Sequence, residues 1–293
     1  MARLDEVFTH FGLSRVTAQL ETTAKNSLRI AASEPNEEPV SRLGGRPNLP
    51  AGVDWPASTD GPLAFIAQLD LQRIPALPDL SLPATGSMFF FYDGNGNPKR
   101  PGDRERFRVV YSDHPLTDFP LRKFPDRLPD LHRWQGVQYG VARTEMTFPG
   151  IEDPAATALG LSREEEDGYW AFEDYWLQSQ EEPRGLHRIG GYPNYIQHDP
   201  KFEAHIKSLD LWEGLWAKNG SNGDCSAETN RRFNELKTRL GTEAARWELL
   251  LQVDSEEANG MMWGDVGRLY FLIQKDHLRA RRFEDAWLVW DCN

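Results

Sequence analysis

The sequence predicts a mainly β protein of the α+β class, built from two diverged copies of one β-rich unit. Three observations support this prediction. Short apolar runs with strand character recur, Gly- and Pro-rich turns separate them, and four sequence blocks occur twice in the same order. The chain also contains 10 Trp, 15 Phe and 8 Tyr, so we expect it to bury a hydrophobic core rather than stay disordered.

The apolar pattern predicts the secondary structure along the chain. Residues 3 to about 32 are expected to be helical, because Leu4, Val7 and Phe8 recur at helical spacing. Strands are expected at residues 63–71, 88–92, 106–111, 141–148, 252–254, 268–274 and 286–290. Further helices are expected at residues 153–180, 201–218 and 227–248, the first with Pro154 at an early helical position.

An internal repeat organises these elements. The matched blocks are residues 42–48 (RLGGRPN) and 188–194 (RIGGYPN), 67–70 and 251–254, 86–91 and 267–272, and 107–113 and 286–291. Ordered matches of this kind indicate duplication rather than chance. The second copy carries an insertion, residues 201–246, which supplies its helices.

The repeat also sets the expected domain organisation. We expect a helical N-terminal segment at 1–39, a first β-rich repeat at 40–112 and a connector with a helix at 113–185. A second β-rich repeat with its helical insertion occupies 186–293. The four parts are expected to form one compact domain.

The repeated polar residues have a structural and a functional interpretation. In each copy a Gln-x-Asp sequence, at Gln68 and Asp70 or at Gln252 and Asp254, places two polar side chains on one face of a strand. Such groups at the end of a buried strand usually satisfy the backbone of neighbouring loops. The alternative is that they bind a ligand.

Several blocks resemble the YwqG-like family, a bacterial family of unknown function. They are residues 43–47 (LGGRP), 52–56 (GVDWP), 65–70 (FIAQLD), 190–193 (GGYP), 196–197 (IQ), 250–254 (LLQVD) and 263–273 (WGDVGRLYFLI). The resemblance spans about residues 40 to 290. It implies a mainly β, roll-like fold with internal duplication and helical additions, and it implies no established activity.

The composition excludes several classes of function. The formal net charge of −12 argues against a general nucleic-acid binder and against docking on an anionic membrane. A basic protein partner remains compatible with this charge. No run approaches the length of a membrane span, the N-terminus has no signal-peptide core, and the two cysteines form no motif. We therefore expect a cytoplasmic, soluble protein.

The motifs of catalysis and cofactor binding are missing from the sequence. It contains no GxSxG, GxxxxGK[ST] or HExxH, so we expect no cofactor and no metal site. The turn Asp93-x-Asn95-x-Asn97 imitates the start of a calcium loop, but Pro98 and Arg104 occupy its defining positions, which favours a hairpin turn. Cys225, in a polar loop near a predicted helix start, is either a reactive thiol or a residue without function.

Aromatic residues provide two further candidates. Trp55 and Trp263, the latter near Asp265, form either an aromatic binding platform with a carboxylate or part of the core. In the predicted helix at 153–180, Tyr169, Phe172 and Trp176 form one stripe among acidic residues. That stripe either packs on the sheet, which we favour, or docks a basic partner.

These observations leave two hypotheses of function. The first is a non-catalytic interaction or ligand-binding protein, supported by the missing catalytic motifs, the acidic charge and the aromatic helix. The alternative is an enzyme that acts on a small molecule in a cleft between the repeats, with Asp70 and Asp254 as paired carboxylates and Gln68 and Gln252 orienting the substrate. That alternative loses its support if both carboxylates are bonded to backbone.

Overall fold

The fold is described from a computed structural model that covers residues 3–33, 40–179, 186–216 and 227–292. The helices are α1 (Leu4–His10), α2 (Thr17–Thr23), α3 (Pro154–Thr157), α4 (Arg163–Ser179), α5 (Pro200–Ser208), α6 (Trp212–Trp216), α7 (Ala227–Ala244) and α8 (Lys275–Arg279). The strands are β1 (Lys25–Ala32), β2 (Arg42–Leu43), β3 (Ala57–Ser58), β4 (Gly61–Pro62), β5 (Ala64–Asp70), β6 (Ser87–Tyr92), β7 (Phe107–Ser112), β8 (Val137–Thr147), β9 (Arg188–Ile189), β10 (Trp247–Asp254), β11 (Arg268–Gln274) and β12 (Trp287–Asp291). Short 3₁₀ helices link them at Ser14–Val16, Leu71–Arg73, Pro101–Arg106, Leu116–Asp118, Asp130–His132 and Phe283–Asp285.

Ten of these strands form one antiparallel sheet in the order β12-β11-β10-β9-β1-β8-β2-β5-β6-β7. The strands of the first repeat, β2, β5, β6 and β7, lie on one side of the central β1–β8 pair. Their counterparts β9, β10, β11 and β12 lie on the other side in the mirrored order. The prediction of a mainly β, internally duplicated fold with helical additions is therefore confirmed.

The two central strands exchange places between the repeats. Strand β1 precedes the first repeat in sequence but pairs with β9 of the second, whereas β8 precedes the second repeat and pairs with β2 of the first. The two strands also pair with each other, from Lys25 opposite Thr147 to Ala32 opposite Tyr139. Each half of the sheet is thus completed by the strand that leads into the other half.

The sheet curls into a nearly closed barrel around one main core. The rings of Phe90 on β6 and Phe271 on β11 lie 5.0 Å apart, so the two halves meet across the interior. The two edge strands also approach each other, with the Phe107 and Trp287 rings 5.4 Å apart. Because strand side chains alternate, Phe89 points away from this interior and joins a separate cluster under the loops of the first repeat.

The helices cover the outside of the sheet. Tyr169 and Phe172 of α4 are buried with Phe8 of α1 and Phe148, and Trp176 packs against the same cluster. The aromatic stripe therefore packs inside the protein, against α1 and Phe148 rather than against the face of the sheet. Helices α5, α6 and α7 form another cluster around Phe202 and Ile206. Among the described residues, no helix has both the length and the apolar composition needed to cross a lipid bilayer.

The expected helix over residues 3 to 32 is wrong for its last part, because Lys25–Ala32 is strand β1. This segment is rich in residues that favour helices, but pairing on both sides overrides that preference. The segment named as a helical N-terminus therefore supplies a central strand. The connector likewise supplies one, since β8 begins at Val137, four residues before the expected start at Val141.

Most other elements match their predictions to within a few residues. Strand β11 has the predicted limits, and β5, β6, β7 and β12 lie within one residue of them. The predicted helix at 153–180 is split into α3 and α4, and that at 201–218 into α5 and α6. The strand predicted at 252–254 is the end of the longer strand β10. Strand β10 begins at Trp247, near the expected end of the helix predicted at 227–248.

Candidate functional site

The two Gly-Gly turns have the same backbone conformation. Gly44 and Gly45 have φ of 66° and 70°, and Gly190 and Gly191 have φ of 70° and 71°, values that side-chain-bearing residues rarely adopt. Each turn follows a two-residue strand, β2 or β9, whose first residue is an arginine. The repeated sequence thus encodes a repeated turn.

A buried glutamine holds each turn in place. Gln68 accepts a hydrogen bond from the Asn48 backbone N–H at 2.8 Å and donates to the Val40 carbonyl at 2.8 Å. Gln252 accepts from the Asn194 N–H at 2.9 Å and donates to the Leu186 carbonyl at 2.6 Å. The partners occupy equivalent positions in the two repeats. Both candidate glutamines therefore bind the turn backbone.

The candidate aspartates are also bonded to backbone. The Asp70 carboxylate accepts from the Gln72 N–H at 3.3 Å and pairs with Arg73 at 3.2 Å. The Asp254 carboxylate accepts from the Leu186 N–H at 2.8 Å and pairs with Arg268 at 3.0 Å. Since each carboxylate caps backbone and pairs with an arginine of its own, the structure does not support a catalytic pair.

The candidate tryptophans pack within the protein. The Trp55 indole donates to the Leu63 carbonyl at 2.8 Å, and its ring contacts Phe91 with centroids 5.6 Å apart. Trp263 is buried against Trp134, with centroids 5.3 Å apart. Asp265 lies exposed on the adjacent turn. Neither tryptophan therefore offers an open aromatic platform beside a carboxylate.

The turn that imitates a calcium loop surrounds a guanidinium. Arg106 donates to both Asp93 carboxylate oxygens, at 2.7 and 3.3 Å, and to the carbonyls of Asn95 and Gly96. A cationic side chain thus takes the position that a metal ion takes in a calcium loop. Within the described ranges, no three His, Cys, Asp or Glu side chains are placed to hold a metal ion. Cys225 lies outside the described residues.

A buried ion cluster surrounds the arginine of the second turn. Glu145 of β8 pairs with Arg29 at 2.9 Å and with Arg188 at 3.3 Å, and all three residues are at most 5% exposed. Arg188 also donates to the Tyr192 carbonyl at 3.1 Å. Burial lowers the pKa of Arg188 to about 10, which still leaves it charged at neutral pH. Glu145 thus neutralises a guanidinium that the fold has removed from water.

The arginine of the first turn lacks such a partner. Arg42 donates to the Arg46 carbonyl at 3.1 Å, as its counterpart does to the carbonyl four residues on. In the described part of the chain, however, no carboxylate forms an ion pair with Arg42. The buried Nε lacks a hydrogen-bond partner in both arginines. Burial, followed by the neighbouring charge of Arg46, lowers the pKa of Arg42.

Arg42 lines a cavity of about 330 Å³ between the strands of the two repeats. Strands β1, β2, β5, β8 and β9 contribute to its wall, together with the 3₁₀ turn after β5. Its apolar lining residues are Ile30, Val40, Leu43, Leu69, Ile74, Val141 and Ile189. Its polar lining residues are Ser33, Ser41, Arg42, Arg73, Gln138 and Tyr139, and Gly140 completes the wall.

Tyr139 is fixed in the cavity wall by a buried network. Its hydroxyl donates to the Glu256 carboxylate, whose pKa is raised by burial. Burial lowers the pKa of His187 to about 4, so the ring is neutral, and its Nδ1 accepts from the Asp254 N–H at 3.1 Å. The His187 proton is therefore on Nε2, which faces Glu256 at 3.4 Å. The network ties the cavity wall to the second repeat.

The chemical groups of the lining are mixed. Among the described lining residues there is no carboxylate, histidine or cysteine, whereas the hydroxyl groups of Ser33, Ser41 and Tyr139 are present. The lining instead combines an apolar surface with serine, glutamine and tyrosine side chains and two arginines. This combination suits an organic molecule with an apolar body.

Two of the sequence-based candidates, Gln68 and Asp70, contact residues of the cavity wall. Asp70 donates its backbone N–H to the lining residue Ser41 at 2.9 Å and pairs with the lining residue Arg73. None of the seven candidate residues lines the cavity itself. The sequence analysis missed the cavity, and the only sequence feature that could have indicated it is the arginine repeated at positions 42 and 188.

Comparison with known proteins places the chain in a family without assigning it an activity. No curated protein matches the chain. The family model described as a domain of unknown function, DUF1963, matches residues 41–292, which include both repeats and the cavity wall from Ser41 onward. The chain therefore belongs to this family of unknown function.

Proposed function

We propose that the protein binds a small organic molecule in the cavity between its repeats. The observation that carries the proposal is the cavity of about 330 Å³ with a mainly apolar lining and a few polar groups. This volume lies at the lower end of the range of small-molecule sites, about 300–1,000 Å³. Because the described lining lacks a carboxylate, a histidine and a cysteine, and Tyr139 already binds Glu256, binding without catalysis is the function that the geometry supports best.

The test is thermal unfolding with a panel of small apolar acids, amides and alcohols. A ligand at a hundred times its Kd stabilises the folded state by about 2.7 kcal/mol, which raises Tm by roughly 5 °C for a chain of this size. The substitution Val141→Phe, on the cavity wall, should abolish that shift. Leu131→Phe, at a side chain that is 73% exposed, is the matched control and should retain it.

Three outcomes of this experiment differ in meaning. A shift that V141F abolishes and L131F retains supports binding in the cavity. An equal shift in both variants shows that the ligand binds elsewhere. No shift with any member of the panel contradicts the proposal for small apolar molecules of these classes.

The finer family assignment and the cellular location belong to the same proposal. The blocks at residues 43–47, 65–70, 250–254 and 263–273 support membership of the bacterial YwqG-like family. The acidic composition is compatible with a cytoplasmic protein. Fractionation of a bacterial host that expresses the native gene, with an antibody to the chain, tests the location.

One observation favours a second candidate, a basic protein partner. Trp170 on α4 is 53% exposed, and the acidic residues Glu166, Asp167 and Asp174 are exposed near it on the same helix. An exposed indole among carboxylates suits a lysine or arginine side chain. Fluorescence anisotropy of a labelled Lys/Arg-rich peptide tests this, and Trp170→Ala should weaken binding about fivefold or more, whereas Leu131→Ala should not.

A further inference from the structure

We propose that the cavity selects a monoanionic ligand, an organic carboxylate with an apolar body. The carboxylate of the ligand would pair with Arg42 as the Glu145 carboxylate pairs with Arg188. The inference rests on the proposed function, since it names the chemical class of the ligand in the same cavity. It comes from comparing the two copies of one turn.

The two arginines are equivalent in position and in backbone contacts. Arg42 and Arg188 each begin the short strand before a Gly-Gly turn. Each donates to the carbonyl four residues on, at 3.1 Å in both repeats. Each also lies opposite the glutamine that holds the turn, Gln68 or Gln252. Both copies therefore have an arginine at the same position of the same backbone structure.

The remaining donors of the two guanidiniums have different partners. Arg188 pairs with Glu145, a carboxylate supplied by the chain. Arg42 has no such carboxylate in the described part of the chain. The buried Nε has no acceptor in either arginine, so the two differ in the carboxylate partner alone. A buried N–H without an acceptor costs about 1–3 kcal/mol, more when the group is charged. A ligand carboxylate would pair with the Arg42 guanidinium as Glu145 pairs with that of Arg188.

The cross-strand neighbours agree with this difference. Opposite Arg188 lies Arg29, which also binds Glu145, so the second repeat forms a closed ion cluster. Opposite Arg42 lies Gln138, a neutral residue that lines the cavity. The first repeat thus has a cavity of about 330 Å³ beside its arginine, where the second has an ion cluster and a cavity of only about 60 Å³.

The charge of the lining favours a monoanion over a phosphate. Arg73, the other arginine of the lining, pairs with Asp70 at 3.2 Å, so its charge is already balanced. That leaves one guanidinium, which matches the single charge and the planar shape of a carboxylate. A doubly charged phosphate would place an unbalanced charge beside the apolar lining, which is costly.

The experiment compares carboxylates with their uncharged amides. Calorimetric titration with straight-chain monocarboxylates and the matching primary amides, below their critical micelle concentrations, varies the head group on one apolar body. We expect the best carboxylate to bind at least about tenfold more tightly than its amide. Arg42→Gln should remove this preference while leaving amide binding within about twofold. Inorganic phosphate alone should not bind measurably.

Two further variants make the result specific. Arg163→Gln removes the same charge from an exposed residue of α4 that does not line the cavity, and it should leave both affinities unchanged. Arg42→Lys keeps the charge but loses the planar fork, so it should lower carboxylate affinity less than R42Q. R42K also provides the comparison if R42Q does not fold.

The outcomes separate this inference from the proposed function. Equal affinity for carboxylates and amides, unchanged by R42Q and abolished by V141F, would overturn the anionic specificity and leave cavity binding intact. Tight binding of phosphate would overturn the choice of a carboxylate. Failure of every carboxylate and amide to bind would contradict both the inference and the proposed function.

Discussion

The turns at Arg42 and Arg188 have the same backbone structure but different surroundings. In both, the glycines adopt the same φ, a glutamine holds the turn, and the arginine donates to the carbonyl four residues on. The Arg188 guanidinium pairs with Glu145, which also pairs with Arg29. At Arg42 the wall opens into a cavity.

The difference shows which parts of the unit tolerate divergence. Backbone groups of a buried turn must find partners, so the glycines and the glutamine are the same in both copies. The space beside the arginine is under no such restriction, and the two copies fill it differently. The helices beside the two copies also differ. Helix α4 lies next to the second copy, where it lines a small cavity of about 60 Å³ together with Arg188.

The largest effect is expected from breaking the ion cluster of the second copy. Glu145→Gln removes the carboxylate that the buried Arg29 and Arg188 share, so we expect a loss of about 3–5 kcal/mol in the free energy of unfolding. Urea denaturation measures this loss. Glu166→Gln, on the exposed face of α4, should change the value by less than about 0.5 kcal/mol. A loss below about 1 kcal/mol in E145Q would contradict the account of this cluster.

A smaller and equal effect is expected from the two glutamines. Gln68→Ala and Gln252→Ala each leave one N–H and one carbonyl of a turn without their partner, so each should lower the free energy of unfolding by about 2–4 kcal/mol. Because these backbone contacts are the same, and Gln68 adds only a 3.2 Å hydrogen bond to the Asn48 side chain, we expect the two losses to agree within about 1 kcal/mol. A large loss in only one variant would show that the two turns are not equivalent.

The smallest predicted effect depends on pH and concerns α4 alone. Burial raises the pKa of Glu173, which lines the small cavity with Arg188, to about 8. A carboxyl group with a raised folded-state pKa stabilises the protein most below its unfolded-state pKa of about 4.3. That contribution is lost as the pH rises through about 8.

The substitution Glu173→Gln isolates this dependence. We expect E173Q to match the unsubstituted chain near pH 5 and to be more stable by about 1 kcal/mol near pH 9, measured by urea denaturation at both values. Glu166→Gln on the same helix is the control and should show no such difference. If the stability of E173Q depends on pH in the same way as that of the unsubstituted chain, the titrating group is not Glu173.

The sequence allowed the β-rich class, most strand positions and the repeat to be predicted, because these depend on local periodicity and on matched blocks. It did not allow β1 to be predicted, since Lys25–Ala32 contains helix-favouring residues and becomes a strand only by pairing with β8 and β9. The exchange of β1 and β8 between the repeats is a property of long-range pairing, which has no local pattern.

The site was located only in part. The Gln-x-Asp residues were correctly placed at the ends of two buried strands, where they bind backbone and, in Asp70, a lining residue of the cavity. The cavity itself was missed, because Ile30, Leu43 and Val141 come from strands far apart in sequence. The different neighbours of Arg42 and Arg188 also depend on cross-strand pairing, with Gln138 and with Arg29.

The most direct test of the central claim is the same substitution at both arginines. Urea denaturation of Arg42→Gln and Arg188→Gln, without added ligand, compares a guanidinium beside a cavity with one inside an ion cluster. We expect a loss of about 3 kcal/mol or more for R188Q, because Glu145 loses a buried partner, and only about 1 kcal/mol for R42Q. Equal losses would contradict the claim, because Arg42 would then contribute as much to stability as Arg188 does and would not be free to bind a ligand.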